Sequence, residues 1–210
     1  MNIKWFEKSV EYAFVRQFDF IATPLDGNLE KMGDVIFGED DKFFLVEFKR
    51  TSELACIQSE QKKYTDFQHS INTLSSSQSS SCHFIIYGAN NNQSFVLLMT
   101  NYCDFLNNNL KDRFYSVDKK RLFDSAISYQ DFKQYLEVVI EEKLKGKKEG
   151  SAGGIIHELD NMLVVNNEGV VASLFEAIQE FKLEKNLDLS QKIQKDHTPN
   201  RSCDMDGPSF

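Results

Sequence analysis

A chain of 210 residues with 41% hydrophobic content can bury a sizeable core, which excludes a disulfide-stapled miniature. A net charge of -8 with 27% charged residues excludes a surface that traps nucleic acid everywhere, so an anionic substrate must meet a local basic patch. No apolar run approaches the roughly 18 residues of a membrane span, no signal-peptide pattern opens the chain, and Cys56, Cys82, Cys103 and Cys203 stand singly, so we expect a cytoplasmic protein with reduced thiols and no membrane partner.

Phe6, Val10, Ala13, Phe14 and Val15 recur at helical spacing and predict a helix from Ile3 to about Phe18. Turn-forming residues run from Thr23 to Asn28. Gly33 to Phe37, then Gly38 to Asp41, then the apolar run from Lys42 to Lys49 read as a β-hairpin. A polar segment opening at Ser59, with Tyr64, Phe67, Ile71 and Leu74 on one face, predicts a second helix ended by the Ser/Gln tract from Ser75 to Ser81. His83 to Tyr87 and Phe95 to Met99 are short strands around a Gly/Asn turn. Tyr102 to Leu110 reads as a short helix, and Ser128 as the cap of a longer one carrying Phe132, Tyr135, Leu136, Val139 and Ile140. Residues 1–145 therefore form an α/β core with a helical end, and residues 146–154 a Gly- and Lys-rich linker. Residues 155–188 form a small extension with a strand from Met162 to Val165 and a helix from about Gly169 to Phe181. Residues 189–210 read as a disordered tail.

The informative constellation is Gly33-Asp34 followed by Val46-Glu47-Phe48-Lys49-Arg50. Alternate strand residues share a face, so Leu45, Glu47 and Lys49 point one way while Phe44, Val46 and Phe48 point to the core. A turn centred on Glu39 and Asp40, or on Gly38 to Asp41, sets Asp34 opposite Leu45 and on the face of Glu47 and Lys49. Carboxylates and an ammonium projecting together from apolar strands are costly unless something uses them, and a divalent cation resolves the conflict. The plainer reading is a half-exposed hairpin whose polar face carries a cross-strand ion pair.

An acidic residue starting one strand, Asp34, with the triplet Glu47-Phe48-Lys49 in the next, resembles the PD-(D/E)XK nuclease superfamily, with Gly33 standing where that motif has its proline. The resemblance extends from the first helix to about Thr100. It implies a restriction-endonuclease-like core, a central mixed β-sheet flanked by helices, here followed by a mainly helical C-terminal extension. It also implies that Asp34, Glu47 and the carbonyl of Phe48 ligate Mg²⁺, or Mn²⁺ in its place, and that Lys49 acts on the nucleophilic water. Glu7 on the first helix resembles an additional acidic ligand, with Glu11 its competitor. Gln61 resembles a further catalytic position on the following helix, with Gln58 and Glu60 as alternatives. The function implied is metal-dependent hydrolysis of phosphodiester bonds in DNA, in a restriction, repair or phage-defence role. The alternative is a catalytically inactive nuclease-like fold that acts as a protein-interaction or nucleic-acid-binding module, which the charge of -8 favours. A homodimer, or a protein partner held through the C-terminal extension, is compatible with both.

Lys111, Arg113, Lys119, Lys120 and Arg121, with Lys143, Lys145, Lys147 and Lys148 further on, form the basic concentration from which phosphate contacts would come. Asp112, Asp118 and Glu141 are interspersed, as on a solvated face. His69, His83, His157 and His197 have no metal-ligand spacing, and P-loop, dinucleotide and GxSxG motifs are absent. Trp5 and the phenylalanines read as core before base-stacking platform.

Overall fold

The computed structural model describes residues 4–18, 20–25, 32–39, 41–92, 94–109, 115–147, 159, 162–165 and 171–179. Helix α1 (Glu7–Gln17) leads into β1 (Ile21–Pro24), and β2 (Val35–Glu39) forms a hairpin with β3 (Lys42–Lys49). Helices α2 (Leu54–Gln61) and α3 (Phe67–Ser76) and the 3₁₀ turn Gln78–Cys82 carry the chain back to β4 (His83–Asn91), which lies parallel to β3. A second hairpin adds β5 (Ser94–Asn101), followed by α4 (Tyr102–Leu106), β6 (Tyr115–Ser116), α5 (Lys119–Asp124), β7 (Ile127–Ser128), α6 (Tyr129–Leu144), β8 (Leu163–Val165) and β9 (Val171–Ser173). Residues 174–179 are helical. The strands form one mixed sheet in the order β6-β5-β4-β3-β2-β1-β8-β9, with β7 also pairing with β3.

β3 is the axis of the molecule because helices cover both its faces. On one side Phe14 of α1 packs edge-on against Phe37 and Phe48, at ring distances of 5.0 and 5.7 Å. On the other, Phe43 meets Tyr129 and Phe132 of α6 at 5.3 and 6.0 Å. Every residue from Phe43 to Lys49 is buried, the pattern of a strand covered on both sides. The face of Leu45, Glu47 and Lys49 is therefore interior too, which rules out the half-exposed hairpin.

Two elements differ from the sequence-based expectation for local reasons. The single helix expected from Ser59 is broken between Gln61 and Phe67, because the Asp66 carboxylate caps α3 by accepting the His69 N–H at 3.1 Å. Among the described residues the chain beyond Thr100 is mainly helical, through α4, α5, α6 and residues 174–179, but β6, β7, β8 and β9 also join the sheet, which the sequence-based reading did not expect of all of them. β8 pairs with β1 through Ala22 and Val165, so the expected C-terminal extension continues the sheet at an edge that would otherwise stand open. Leu159, Leu174 and Ile178 belong to the main core cluster. Residues 148–154 of the expected linker and the tail from 189 lie outside the described residues. Among the described residues no helix is long and apolar enough to cross a membrane.

Phe14 is wholly buried and touches Phe18, Phe20, Phe37 and Phe48. Phe14→Ala should lower stability by about 3–5 kcal/mol, read as a reduced urea midpoint. An unchanged midpoint would mean that α1 is not pinned to the sheet through this ring.

Candidate functional site

The β2–β3 turn determines which residues face each other at the far end of the hairpin. Glu39 pairs with Lys42, so the register runs through Phe37–Phe44 and Ile36–Leu45 to Val35–Val46. This is two residues away from the expected pairing of Asp34 with Leu45. A shift of two preserves the face of every side chain but moves Asp34 up to Glu47. Beyond the last pair the Asp34 N–H donates to the Val46 carbonyl at 3.1 Å, and its carboxylate accepts the Phe48 N–H at 2.6 Å. Gly33 sits close under Leu45, and a Cβ there would come within 2.8 Å of Leu45 Cδ1 and have to push that side chain aside. Proline at this position would meet the same obstacle.

Behind Asp34 lies a buried ion network. Glu47 is fully buried, Glu60 is 1% exposed and Lys143 3% exposed. Lys63 contacts Glu47 Oε1 and lies 2.8 Å from Glu60 Oε2. Lys49 Nζ is 3.2 Å from Glu60 Oε2 and 3.7 Å from Glu47 Oε1. Lys143 approaches Glu60 at 3.7 Å and Glu47 at 4.0 Å, donates to the Met32 carbonyl, and sits over the rings of Tyr102 and Tyr64. Tyr102 donates to Glu60 Oε1 at 2.8 Å. Its proton being used there, Tyr64 is the donor in the 2.9 Å hydroxyl pair that the two tyrosines form.

The two glutamates divide the available charge unequally. Burial would raise Glu60, but Lys143, Lys49 and Lys63 hold it well below its ordinary value, so it is ionised. Glu47 is pushed up to about 7, first by burial and then by the Glu60 charge. Its Oε2 atom is buried without a hydrogen-bond partner. Burial without a donor favours the protonated form of this carboxyl, or a cation beside it, over a bare charge. Burial alone would lower Lys49, yet Glu47, Glu60, Asp34 and Glu7 hold it above the ordinary lysine value, so it is an ammonium.

Asp34 also opens onto a cavity of about 350 Å³ lined by Glu7, Lys8, Glu11, Pro24, Leu25 and Phe48. Glu7 is raised by partial desolvation, with Lys49 opposing and Asp34 reinforcing. Glu11 pairs with Lys8 at 2.7 Å. Glu7 is thus the first-helix acid that interacts with Asp34 and Lys49.

Asp34, Glu47, Phe48, Lys49 and Glu7 therefore converge, while Gln61 does not join them. Gln61 donates to the Leu106 carbonyl at 2.7 Å and ties α2 to α4, and Glu60 takes the place in the network. Lys119, Lys120 and Arg121 lie on α5, which packs against Phe44 through Phe123, five residues down β3 from Lys49. Lys111 and Arg113 lie outside the described residues. Lys143, read from sequence as part of a basic surface, faces the interior. Its signal was phase, because it falls three and four residues after Ile140 and Val139 on the apolar stripe of α6. Glu60 likewise lies between buried Ile57 and Tyr64 at helical spacing. His83, wholly buried, stacks on Tyr102 at 3.8 Å, and burial keeps it neutral.

No family model, no curated protein and no solved structure matches the chain.

The opposite shifts of the two glutamates give opposite pH signatures in metal-free buffer. Glu47 binds its proton more tightly folded than unfolded, so its contribution is full below the ordinary value of 4.5 and is lost as pH rises through about 7. Glu60 contributes above its ordinary value and loses that contribution only in stronger acid. In EDTA, wild type should lose stability relative to Glu47→Gln as pH rises from 4.5 to about 7, measured as urea midpoints. A difference that stays constant across that range would show Glu47 ionised throughout.

Proposed function

We propose that this chain is a divalent-metal-dependent nuclease of PD-(D/E)XK type, with a restriction-endonuclease-like core, that hydrolyses phosphodiester bonds in DNA. The observation that carries the proposal is the meeting of Asp34, Glu47 and Lys49 at the end of β3, with one Glu47 oxygen buried and unpartnered. Among the described residues no three His, Cys, Asp or Glu side chains form a metal cage. The two carboxylates of Asp34 and Glu47 suit Mg²⁺, which keeps several waters and needs one or two carboxylates, with Mn²⁺ as a substitute.

Glu47 Oε2 and the Asp34 carboxylate would hold the ion. The Phe48 carbonyl is a third donor, because N–H and C=O of one strand residue leave the same edge and the Phe48 N–H already meets Asp34. A bound ion supplies Lewis acidity and lowers the pKa of a coordinated water. Lys49, held as an ammonium, donates hydrogen bonds to the attacking water or to a phosphate oxygen and offsets charge growing on the phosphorus. Glu60 acts through Lys49 and Lys63, fixing both side chains. Asp34 and Glu7 line the open cavity from which a phosphodiester would approach.

One observation favours the second reading, an inactive nuclease-like module that binds nucleic acid or protein. Three lysines already surround the two carboxylates of Glu47 and Glu60, so their charge is more than offset without a metal ion.

Cleavage assays separate the two readings. Supercoiled plasmid, linear duplex and single-stranded DNA are incubated with Mg²⁺, Mn²⁺ or EDTA. Metal-dependent cutting is expected, reduced roughly 10²–10⁴-fold in Asp34→Asn and in Lys49→Met. Asn keeps an acceptor for the Phe48 N–H, so circular dichroism of Asp34→Asn should match wild type. Cutting in EDTA, or undiminished cutting in both variants, overturns the assignment, and silence on all three substrates favours the inactive module.

A further inference from the structure

The N-terminal end of α1 carries a feature that phosphodiester chemistry does not require. A cavity of about 350 Å³ is lined by Lys4, Trp5, Phe6, Arg50, Thr51 and Glu53. It borders the candidate site, since Phe6 and Arg50 are the chain neighbours of Glu7 and Lys49. Phe6 is 74% exposed, far more than a phenylalanine whose role is packing. Trp5 is fixed: its indole N–H donates to the Arg50 carbonyl at 2.7 Å, and its ring stands edge-on to Phe95 at 5.3 Å. Gly88 makes room for it, because a Cβ there would collide with the Trp5 indole and the Phe95 ring. The lining holds two cations, Lys4 and Arg50, against one carboxylate, Glu53, which lies 3.7 Å from Arg50.

Resting on the nuclease reading of the adjoining site, we infer that this cavity is a base-stacking subsite that receives an unpaired nucleotide next to the scissile phosphate. The preferred substrate is then single-stranded or frayed DNA. An exposed aromatic face beside a guanidinium and an ammonium is what an unstacked base and its phosphate bind. Bases inside a duplex offer no free face to Phe6. The cavity accepts a base of any identity, because its apolar contacts read the π-face and carry no base-edge code.

Trp5 is the single tryptophan of the chain, so fluorescence excited at the red edge of tryptophan absorption, where the seven tyrosines do not absorb, reports on this cavity. The full chain is titrated in EDTA with a single-stranded oligothymidylate of about 10 nucleotides, with an abasic strand of equal length, and with duplex. The expected result is a change in Trp5 emission with oligothymidylate and not with the abasic strand. Phe6→Ala should weaken oligothymidylate binding about 5- to 150-fold, the range for loss of one stacked base. Phe6→Tyr should restore it. Equal affinity of wild type and Phe6→Ala, or equal emission changes with thymidylate and abasic strands, overturns the inference. Because binding is read without metal, a protein that stacks the strand but never cuts it would refute the nuclease and leave the subsite standing.

Discussion

Glu47 and Glu60 remain in the interior because three lysines reach them from three separate parts of the chain. Lys49 comes from β3, Lys63 from the break after α2 and Lys143 from the last turn of α6. Removing one partner from such a network leaves an uncompensated buried charge, a loss on the order of 3–5 kcal/mol. The arrangement around β3 follows from this. α2 must end where Lys63 can turn inward, and α6 must dock with Lys143 beneath the tyrosines. The aromatic faces of Tyr64 and Tyr102 provide a setting in which an ammonium is attracted without another carboxylate.

The network also links the core to the candidate site through a single strand. Glu47 and Lys49 alternate with Val46 and Phe48, so the residues that hold the polar centre and those that hold α1 are interleaved on β3. α1 completes the arrangement from the other side of the sheet. Its first turn brings Glu7 to the Asp34 cavity, while the residues just before it, Trp5 and Phe6, line the neighbouring one. A shift of α1 would therefore alter both cavities together.

Much of this was legible in the sequence wherever a local rule governed the outcome. Strand alternation placed Glu47 and Lys49 on one face, the apolar stripe located α6, and Ser128 marked its start, where its hydroxyl accepts the Asp131 N–H at 3.2 Å. The hairpin was visible but its register was not, because Gly38, Glu39, Asp40 and Asp41 are compatible with several turns. The two-residue shift leaves every side chain on its face, so Asp34, Glu47 and Lys49 still lie together. Burial was misjudged where it depends on distant packing. Nothing local to Lys143 announces Glu47 of β3, Glu60 of α2, Tyr64 after it and Tyr102 of α4 as neighbours, and a charged residue in phase with an apolar stripe reads by its charge before its phase. Glu60 and Gln61 differ by one helical step of about 100°, and only the direction in which α2 docks decides which of them faces β3.

The pairing of β1 with β8 bears on how the molecule is made. β1 is among the first elements of the chain, but its outer partner Val165 lies near the other end of the described residues. The polar centre is complete in sequence once Lys143 has been synthesised, whereas the β1 edge must wait for β8. During that interval a growing chain presents the open outer edge of β1 before Leu159, Leu174 and Ile178 have joined the core, the condition under which sheets recruit a neighbour's strand. Long-range closure of this kind is also the slow step in sheet formation. The hazard of misassembly is thus concentrated at the C-terminal strands, on the flank of the sheet away from β3 and its charges.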